Sequence, residues 1–330
     1  MTYQASDRKR FVFTRREFLW CLSGGIFLGL GGHQLIRYTT RQQADVFIAK
    51  AADYRIDLGR IISQGLHELG ISPQEIRGKR ILLKPNLVEV SSGHAHINTH
   101  PLVIRGAIEA FLRLGAAAVF VGEGPAHVTD TFMVVEETGL GDVLFEDKIR
   151  FVDLNYDDLF DLTNQTGFNT LSRLTFPATL KKVDWIVSVA KMKTHHWAGV
   201  TLSMKNLFGV MPGSVYGWPK NVLHYRGISQ SIVDINTTLR PHFAIVDGIT
   251  GMQGDGPIMG DPIHPGVLVM GRSLPAVDAT CCRIMGVDPH KIDYLRVAAK
   301  HLGTIVESDI HQRGEMINGV YTPFTLAPKT

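Results

Sequence analysis

The side chains with the most chemistry to offer crowd one stretch of this chain, Ser188 to Arg226. It supplies Lys191, Lys193 and Lys205, the imidazoles His195, His196 and His224, and the polar residues Thr201, Ser203 and Asn206. Lysines hold anionic groups, and once desolvation lowers their pKa they also act as acids and bases. Histidines bind metal or move protons. On this chemistry Lys193, His195, Lys205 and His224 are the catalytic candidates. A basic, solvated loop would explain any one of these residues, but the group together points to a site.

Smaller polar clusters lie outside that stretch. In Lys84-Pro85-Asn86 the proline stops a strand, so Lys84 and Asn86 sit at its end. With Asn206, Gly254 and Gly256 they are the candidates for holding a cofactor. Glu123, between Gly122 and Gly124, reads as a base, a metal ligand or a turn residue on a strand tip. Asp247 and Asp255 favour a cation or a hydroxyl-rich ligand, and with Glu123 they form the candidate metal set. The glycines around Asp255 look like a phosphate cradle, but no Gly-Lys-Ser/Thr follows, which excludes the nucleotide-binding P-loop. His94 and His96, two residues apart, suit a metal in an extended segment or are plain surface imidazoles. Capping of its own helix explains Asp278.

Elements must bring these residues together. Short apolar runs read as buried strands at Asp45–Ala51, Arg80–Lys84, Ala117–Val121, Arg150–Leu154, Trp185–Ala190, Phe243–Val246 and Val267–Met270. Leu174–Leu180 reads as an edge strand because Pro177 cannot donate to a ladder. Helical spacing falls between them, at Ile56–Leu69, Leu102–Leu114, Met133–Glu146 and Ile228–Leu239, with another helix starting at Pro275. Strands alternating with helices predict an α/β fold with a largely parallel sheet flanked by helices, built as one body or as two lobes around one crevice. Polar residues fall repeatedly just after strands, where open α/β sheets bind ligands, so the tips are expected to converge.

Composition narrows the classes. The 330 residues are 45% hydrophobic and 20% charged, as in globular proteins, and 33 glycines imply many tight turns. The net charge of +3 misleads: residues 1–43 hold seven basic and two acidic side chains, so the remainder carries −2. No basic face for nucleic acid is implied. Of three cysteines, Cys21 lies in the leader, and Cys281 and Cys282 are adjacent on a helix. An iron–sulfur cluster takes four thiolates at defined spacing, so none is expected in this chain.

Thr14-Arg15-Arg16-Glu17-Phe18-Leu19 resembles the twin-arginine export motif, with an apolar run from Phe18 to Leu30 behind it. That run is shorter than the ~20 residues of a membrane span, and no small-x-small cleavage site follows. Residues 1–43 are therefore expected to be a twin-arginine signal or a membrane anchor, and 44–330 a single domain. The resemblance implies transient contact with the twin-arginine translocase, and a location in the periplasm or at the outer face of the inner membrane. Proteins on that route cross folded, often with a cofactor already inserted.

A family resemblance covers roughly residues 45–300. KMKTHHWAGVTLSMKNLFGVMPG, Lys191 to Gly213, resembles the signature of the domain of unknown function 362 family. KPNLV at Lys84, VGEGP at Val121, VDGITGMQGDGP at Val246 and AVDATCCRIMGVDP at Ala276 match it in order. The family has no established function. Many of its members carry a ferredoxin-like module, whose Cys-x-x-Cys spacing is missing from this chain. A fainter likeness joins MKNLFGVMPG and His224 to the nickel-pincer lactate racemases, where a lysine carries the cofactor and histidines move the proton. That likeness implies Lys205 as the lysine and His195 with His224 as the imidazoles, though the glycine pattern differs.

Three functions fit these residues: an exported enzyme for a small anionic substrate, dependent on a metal ion or an organometallic cofactor; a binding module for an anionic small molecule or metallocofactor; and an accessory to a redox partner subunit. The leader gives the first test. Replacing Arg15 and Arg16 together by lysine should leave the protein in the cytoplasm on fractionation; unchanged export would contradict the twin-arginine reading.

Overall fold

The computed structural model describes residues 43–90, 93–126 and 130–327. The readings on residues 1–42, including Cys21, lie outside them. Twelve strands form. They are β1 (Ala44–Lys50), β2 (Arg80–Pro85), β3 (Ala118–Glu123), β4 (Arg150–Asp153), β5 (Leu159–Thr163) and β6 (Arg173–Pro177) in the first half. β7 (Trp185–His195), β8 (Gly199–Thr201), β9 (Phe243–Gln253), β10 (Asp261–Ile263), β11 (Val267–Gly271) and β12 (Ile310–Gly314) follow.

The main sheet runs β12-β1-β11-β9-β7-β2-β3-β4, with β8 paired to β7 and β10 to β9. From β9 to β4 every neighbour is parallel. β1 and β12 are also parallel, whereas β11 runs against both β1 and β9. The fold is α/β with a mostly parallel mixed sheet, a single body among the described residues rather than two lobes. β6 does not form the edge expected for Leu174–Leu180. It pairs with β5 in a separate hairpin, and Thr179–Lys182 turns into a helix. The tail, which carries no readable motif, contributes β12.

Alternation along β7 divides two cores. Trp185, Val187 and Val189 pack with helices α1 (Leu58–Glu68) and α2 (Pro101–Arg113) on one face. Ile186, Ala190 and Met192 pack on the other face with residues of α3 (Ser203–Asn206), α4 (Ile228–Leu239) and α5 (Leu274–Ile284). Buried on both faces, the central strands are mainly apolar in their first halves, and the polar residues of β2, β7 and β9 gather towards their C-terminal ends. No helix among the described residues is long and apolar enough to cross a membrane.

Two strands run well past their sequence-predicted ends. β7 continues from Ala190 to His195 and every one of its eleven residues is buried. β9 continues from Val246 to Gln253. Lys191, Lys193 and His195 are thus strand residues inside the molecule, not members of a loop following it. The extension is possible because β8 and β10 fold back as short antiparallel partners and supply ladder acceptors beyond the parallel sheet.

Candidate functional site

The tips of β2, β3 and β7, the turn of α3 and the segment after it enclose a cavity of about 290 Å³. Four lysines line it, Lys84, Lys193, Lys205 and Lys220, together with His195, His196 and His224. Its single lining carboxylate among the described residues is Glu123.

That carboxylate is already engaged. Lys84 Nζ donates to Glu123 Oε2 at 2.5 Å, with both side chains 1% exposed. The Leu87 amide reaches the same oxygen at 3.0 Å, and the Gly124 amide reaches Oε1 at 2.9 Å. Lys84 also donates to the Pro85 carbonyl and to Asn206 Oδ1, at 2.8 and 3.1 Å. Asn206 in turn donates to the Lys84 carbonyl and to Ser188 Oγ, tying α3 to β2 and β7. Gly209 is a glycine for steric reasons, since a Cβ there would run into Glu123 Oε1 and Lys84 Nζ.

α3 is only four residues long, and a carboxylate from another helix fixes it. Asp278 of α5 accepts from the Ser203 amide at 2.8 Å, the Ser203 hydroxyl at 2.5 Å and the Met204 amide at 3.1 Å. Tyr294 donates to it as well, at 3.2 Å. Asp278 therefore caps the N-terminus of α3, not of its own helix. Burial pushes its pKa up to about 6, against the lowering by Ser203 and Met204.

The remaining three lysines have no carboxylate of their own among the described residues. Lys193 Nζ donates to the Ile97 carbonyl at 2.8 Å and the Pro257 carbonyl at 3.2 Å. Burial and the charges of Lys191 and Lys205 hold its pKa well below the ordinary range, with Glu123 opposing. A neutral amine has two hydrogens, which match those two carbonyls. Lys205 makes no hydrogen bond or ion pair to a described residue, and its Nζ lies 4.5 Å from the Phe208 ring centroid. Burial, then Lys84, lowers its pKa to about 8. Lys220 donates to Asn155 Oδ1 at 2.7 Å and to the Met211 carbonyl, and burial lowers its pKa to about 7.

The histidines are not equivalent. His195 Nδ1 accepts from the amides of Trp197 and Ala198, at 3.1 and 3.2 Å. Burial, with Lys205 next, drives its pKa well down, so the ring is neutral and its proton sits on Nε2. With Nδ1 occupied by the two amides, Nε2–H is the hydrogen-bond donor that the ring has left to offer. His224 Nδ1 lies 3.0 Å from the Lys220 carbonyl, and its ring meets Trp197 and Phe208. His196 is on the rim, 3.6 Å from Asp255.

Eight of the twelve sequence candidates line this cavity: Lys84, Asn86, Glu123, Lys193, His195, Lys205, Asn206 and His224. Gly254, Gly256, Asp247 and Asp255 do not. Gly254 takes a left-handed turn (φ +77°), and its carbonyl accepts from Thr194 Oγ1 at 2.8 Å. A Cβ on Gly256 would strike the Thr194 carbonyl. Gly254 thus turns the chain onto Thr194 of β7, and Gly256 lets it pack closely there. Asp247 is fully buried, bonded to Lys191 at 2.8 Å, to Tyr54 at 3.1 Å and to the His100 amide at 3.1 Å. Asp255 is an exposed rim residue. The three carboxylates proposed for metal are thus dispersed, and among the described residues no three His, Cys, Asp or Glu side chains are arranged to hold a metal ion. His94 and His96 contact each other edge-on, with centroids 5.6 Å apart. Cys281 and Cys282 are buried free thiols within α5.

Sequence reasoning missed Lys220, and it noted Thr201 without assigning it to the site. Lys220 lies in the same lysine-rich stretch, but its left-handed backbone (φ +68°) after Pro219 gives no strand or helix signal. Thr201 Oγ1 and Asn86 Oδ1 are buried in the cavity wall without a hydrogen-bond partner. An orphaned polar atom costs about 1–3 kcal/mol, which a ligand bearing a hydrogen-bonding group would recover.

Comparison with known proteins gives a family match, a relative in sequence and two solved structures with a similar fold. The family model described as a domain of unknown function (DUF362) matches residues 81–283. The thylakoid-associated protein of Synechocystis is 29% identical over 231 residues, covering 68% of each chain. Among solved structures, a structural-genomics protein from Thermotoga maritima has a TM-score of 0.40 at 12% identity, covering 71% of this chain and 59% of that one. The lactate racemase apoprotein of Thermoanaerobacterium thermosaccharolyticum has a TM-score of 0.43 at 13% identity, covering 75% and 58%. The chain spans less than two thirds of either solved protein.

The cavity sets a pH dependence. Lys205 and Lys220 have folded pKa values near 8 and 7, below the ordinary 10.5, so between those limits the unfolded chain binds more protons than the folded one. Stability then rises with pH over that window and is lost as pH falls through the folded values. The urea midpoint of the wild type should climb between about pH 7 and 9 relative to a Lys205→Met/Lys220→Met double variant. Parallel curves for the two proteins would contradict the depressed pKa values.

Proposed function

The chain belongs to the domain of unknown function 362 family, and from that premise we propose that it is an enzyme moving a proton on a small oxyanion. The observation that carries this is the imbalance in the cavity: four lysines face one carboxylate, and that carboxylate is consumed by Lys84. Each proton taken up by Lys205 or Lys220 leaves a buried cation with no carboxylate among the described residues, which is unfavourable unless an anion completes it. A volume of about 290 Å³ suits a small molecule, near the lower end of ligand pockets. The orphaned Asn86 Oδ1 calls for a hydrogen-bond donor, so the substrate carries a hydroxyl beside its carboxylate or phosphate.

In this reading Lys84 is a fixed cation and Lys220 becomes one as the anion binds, each held by protein oxygens. Lys205 is the working acid and base. It has no hydrogen-bond or ion-pair partner among the described residues, lines the cavity, and at a pKa of about 8 exchanges its proton near neutrality. His195, with its proton fixed on Nε2, donates to the oxygen on which charge develops, a role that requires neutral imidazole. Lys193 stays neutral between its two carbonyls and adds no further charge. Export through the twin-arginine route, resting on Arg15 and Arg16, belongs to the same proposal.

The test is deuterium wash-in. Small hydroxylated carboxylates and phosphate esters would be screened for binding, and those that bind followed by NMR in heavy water. Wild-type protein should exchange a carbon-bound proton of one such ligand. Lys205→Met should slow exchange by roughly 10²- to 10⁴-fold, the usual weight of a general acid–base group. His195→Phe should slow it while leaving affinity within about ten-fold. Binding with no exchange of any probe would make the cavity a binding module, and unchanged exchange in Lys205→Met would remove its assigned role.

A further inference from the structure

A second pocket, of about 240 Å³, opens between the C-terminus of α4 and the N-terminus of α5. It shares no lining residue with the lysine cavity. Arg240 ends α4 in a left-handed conformation (φ +49°), and Pro241 cannot continue the helix. Across the gap, Ser273 occupies the N-cap of α5, an eleven-residue helix with Pro275 in its first turn.

That helix end is uncapped. A serine at this position ordinarily accepts a hydrogen bond from a first-turn amide. Ser273 makes no such bond, and its Oγ is buried without a partner. First-turn amides have no intrahelical acceptor, and they sit at the positive end of the helix dipole. Gly303 lies against Ser273, where a Cβ would come within 2.6 Å of the hydroxyl.

An independent feature points into the same space. Asn236 is 1% exposed, and its Nδ2 donates to the carbonyls of Met204 and Ile232, at 3.0 and 2.8 Å. Those two bonds fix the orientation of the amide and leave Oδ1 as a buried acceptor with no donor. Arg240 makes no ion pair or hydrogen bond through its guanidinium to a described residue. Arg272 is held by Glu75 through two bonds, of 2.8 and 2.6 Å.

We propose that this pocket binds a phosphate monoester bearing a hydroxyl group. The phosphate sits at the amide end of α5, within reach of Arg240, as anions do at helix N-termini. Its neighbouring hydroxyl donates to Asn236 Oδ1. Ser273 Oγ supplies one more hydrogen bond instead of capping its helix.

Calorimetry on the full chain tests this with glycerol 3-phosphate, inorganic phosphate and glycerol as probes. Because the lysine cavity also attracts oxyanions, the titrations are run on Lys205→Met protein as well as wild type. Glycerol 3-phosphate should bind the Lys205→Met protein, at least ten-fold more tightly than inorganic phosphate, and glycerol should not bind. Arg240→Gln, at an exposed position, should weaken it ten-fold or more at an unchanged melting temperature. Ser273→Ala should weaken it less, by a few fold. Equal affinity in Arg240→Gln, equal affinity for inorganic phosphate, or loss of all binding in Lys205→Met would each overturn the second site. None of these results bears on exchange chemistry in the first cavity.

Discussion

The buried pair of Lys84 and Glu123 is the contact on which the site depends. One ammonium at the tip of β2 and one carboxylate at the tip of β3 meet at 2.5 Å, out of contact with solvent. A buried pair is worth little net energy in itself, because desolvation offsets most of the attraction, but removing one member costs about 3–5 kcal/mol. Its main effect is positional. Glu123 also holds the Leu87 and Gly124 amides, and Lys84 holds Asn206 of α3. Two strand tips, one loop and one short helix are therefore fixed relative to each other by a single pair. Asp278 completes the arrangement from behind by capping α3, which carries Lys205 into the cavity.

Charge separates structural lysines from chemical ones. Lys191 and Lys84 are buried, yet each has a carboxylate within hydrogen-bond distance. Lys193, Lys205 and Lys220 are buried or nearly so and have none, so desolvation acts on them without compensation from a dedicated partner. Their lowered pKa values follow from that uncompensated burial. An anionic ligand reverses that balance by making the protonated lysines favourable again.

Much of the arrangement was legible in the sequence, and the failures have physical causes. The alternation of apolar runs with helical spacing gave the mostly parallel sheet, and polar residues after strand tips located the cavity. The ends of β7 and β9 were misjudged because lysine and aspartate read as surface residues, and pairing such as Lys191 with Asp247 is invisible in a linear pattern. Gly254 and Gly256 carried a ligand-loop signal, whereas Gly256 is needed for close packing on Thr194 and Gly254 for a left-handed turn. Asp278 read as the cap of its own helix because local spacing explained it; its real target, α3, lies some seventy-five residues away. Lys220 stood in the right stretch but in a backbone conformation no periodicity announces.

The most direct consequence is that Lys205 and Lys220, with pKa values lowered to about 8 and about 7, take up protons when an anion binds beside them. Calorimetric titration of a binding oxyanion in buffers of different ionisation enthalpy measures the protons taken up directly. The account expects net proton uptake on binding at pH 8, with affinity falling as pH rises through about 7 to 8 and both effects reduced in Lys220→Met protein. Binding without proton uptake, at an affinity independent of pH across that range, would contradict it.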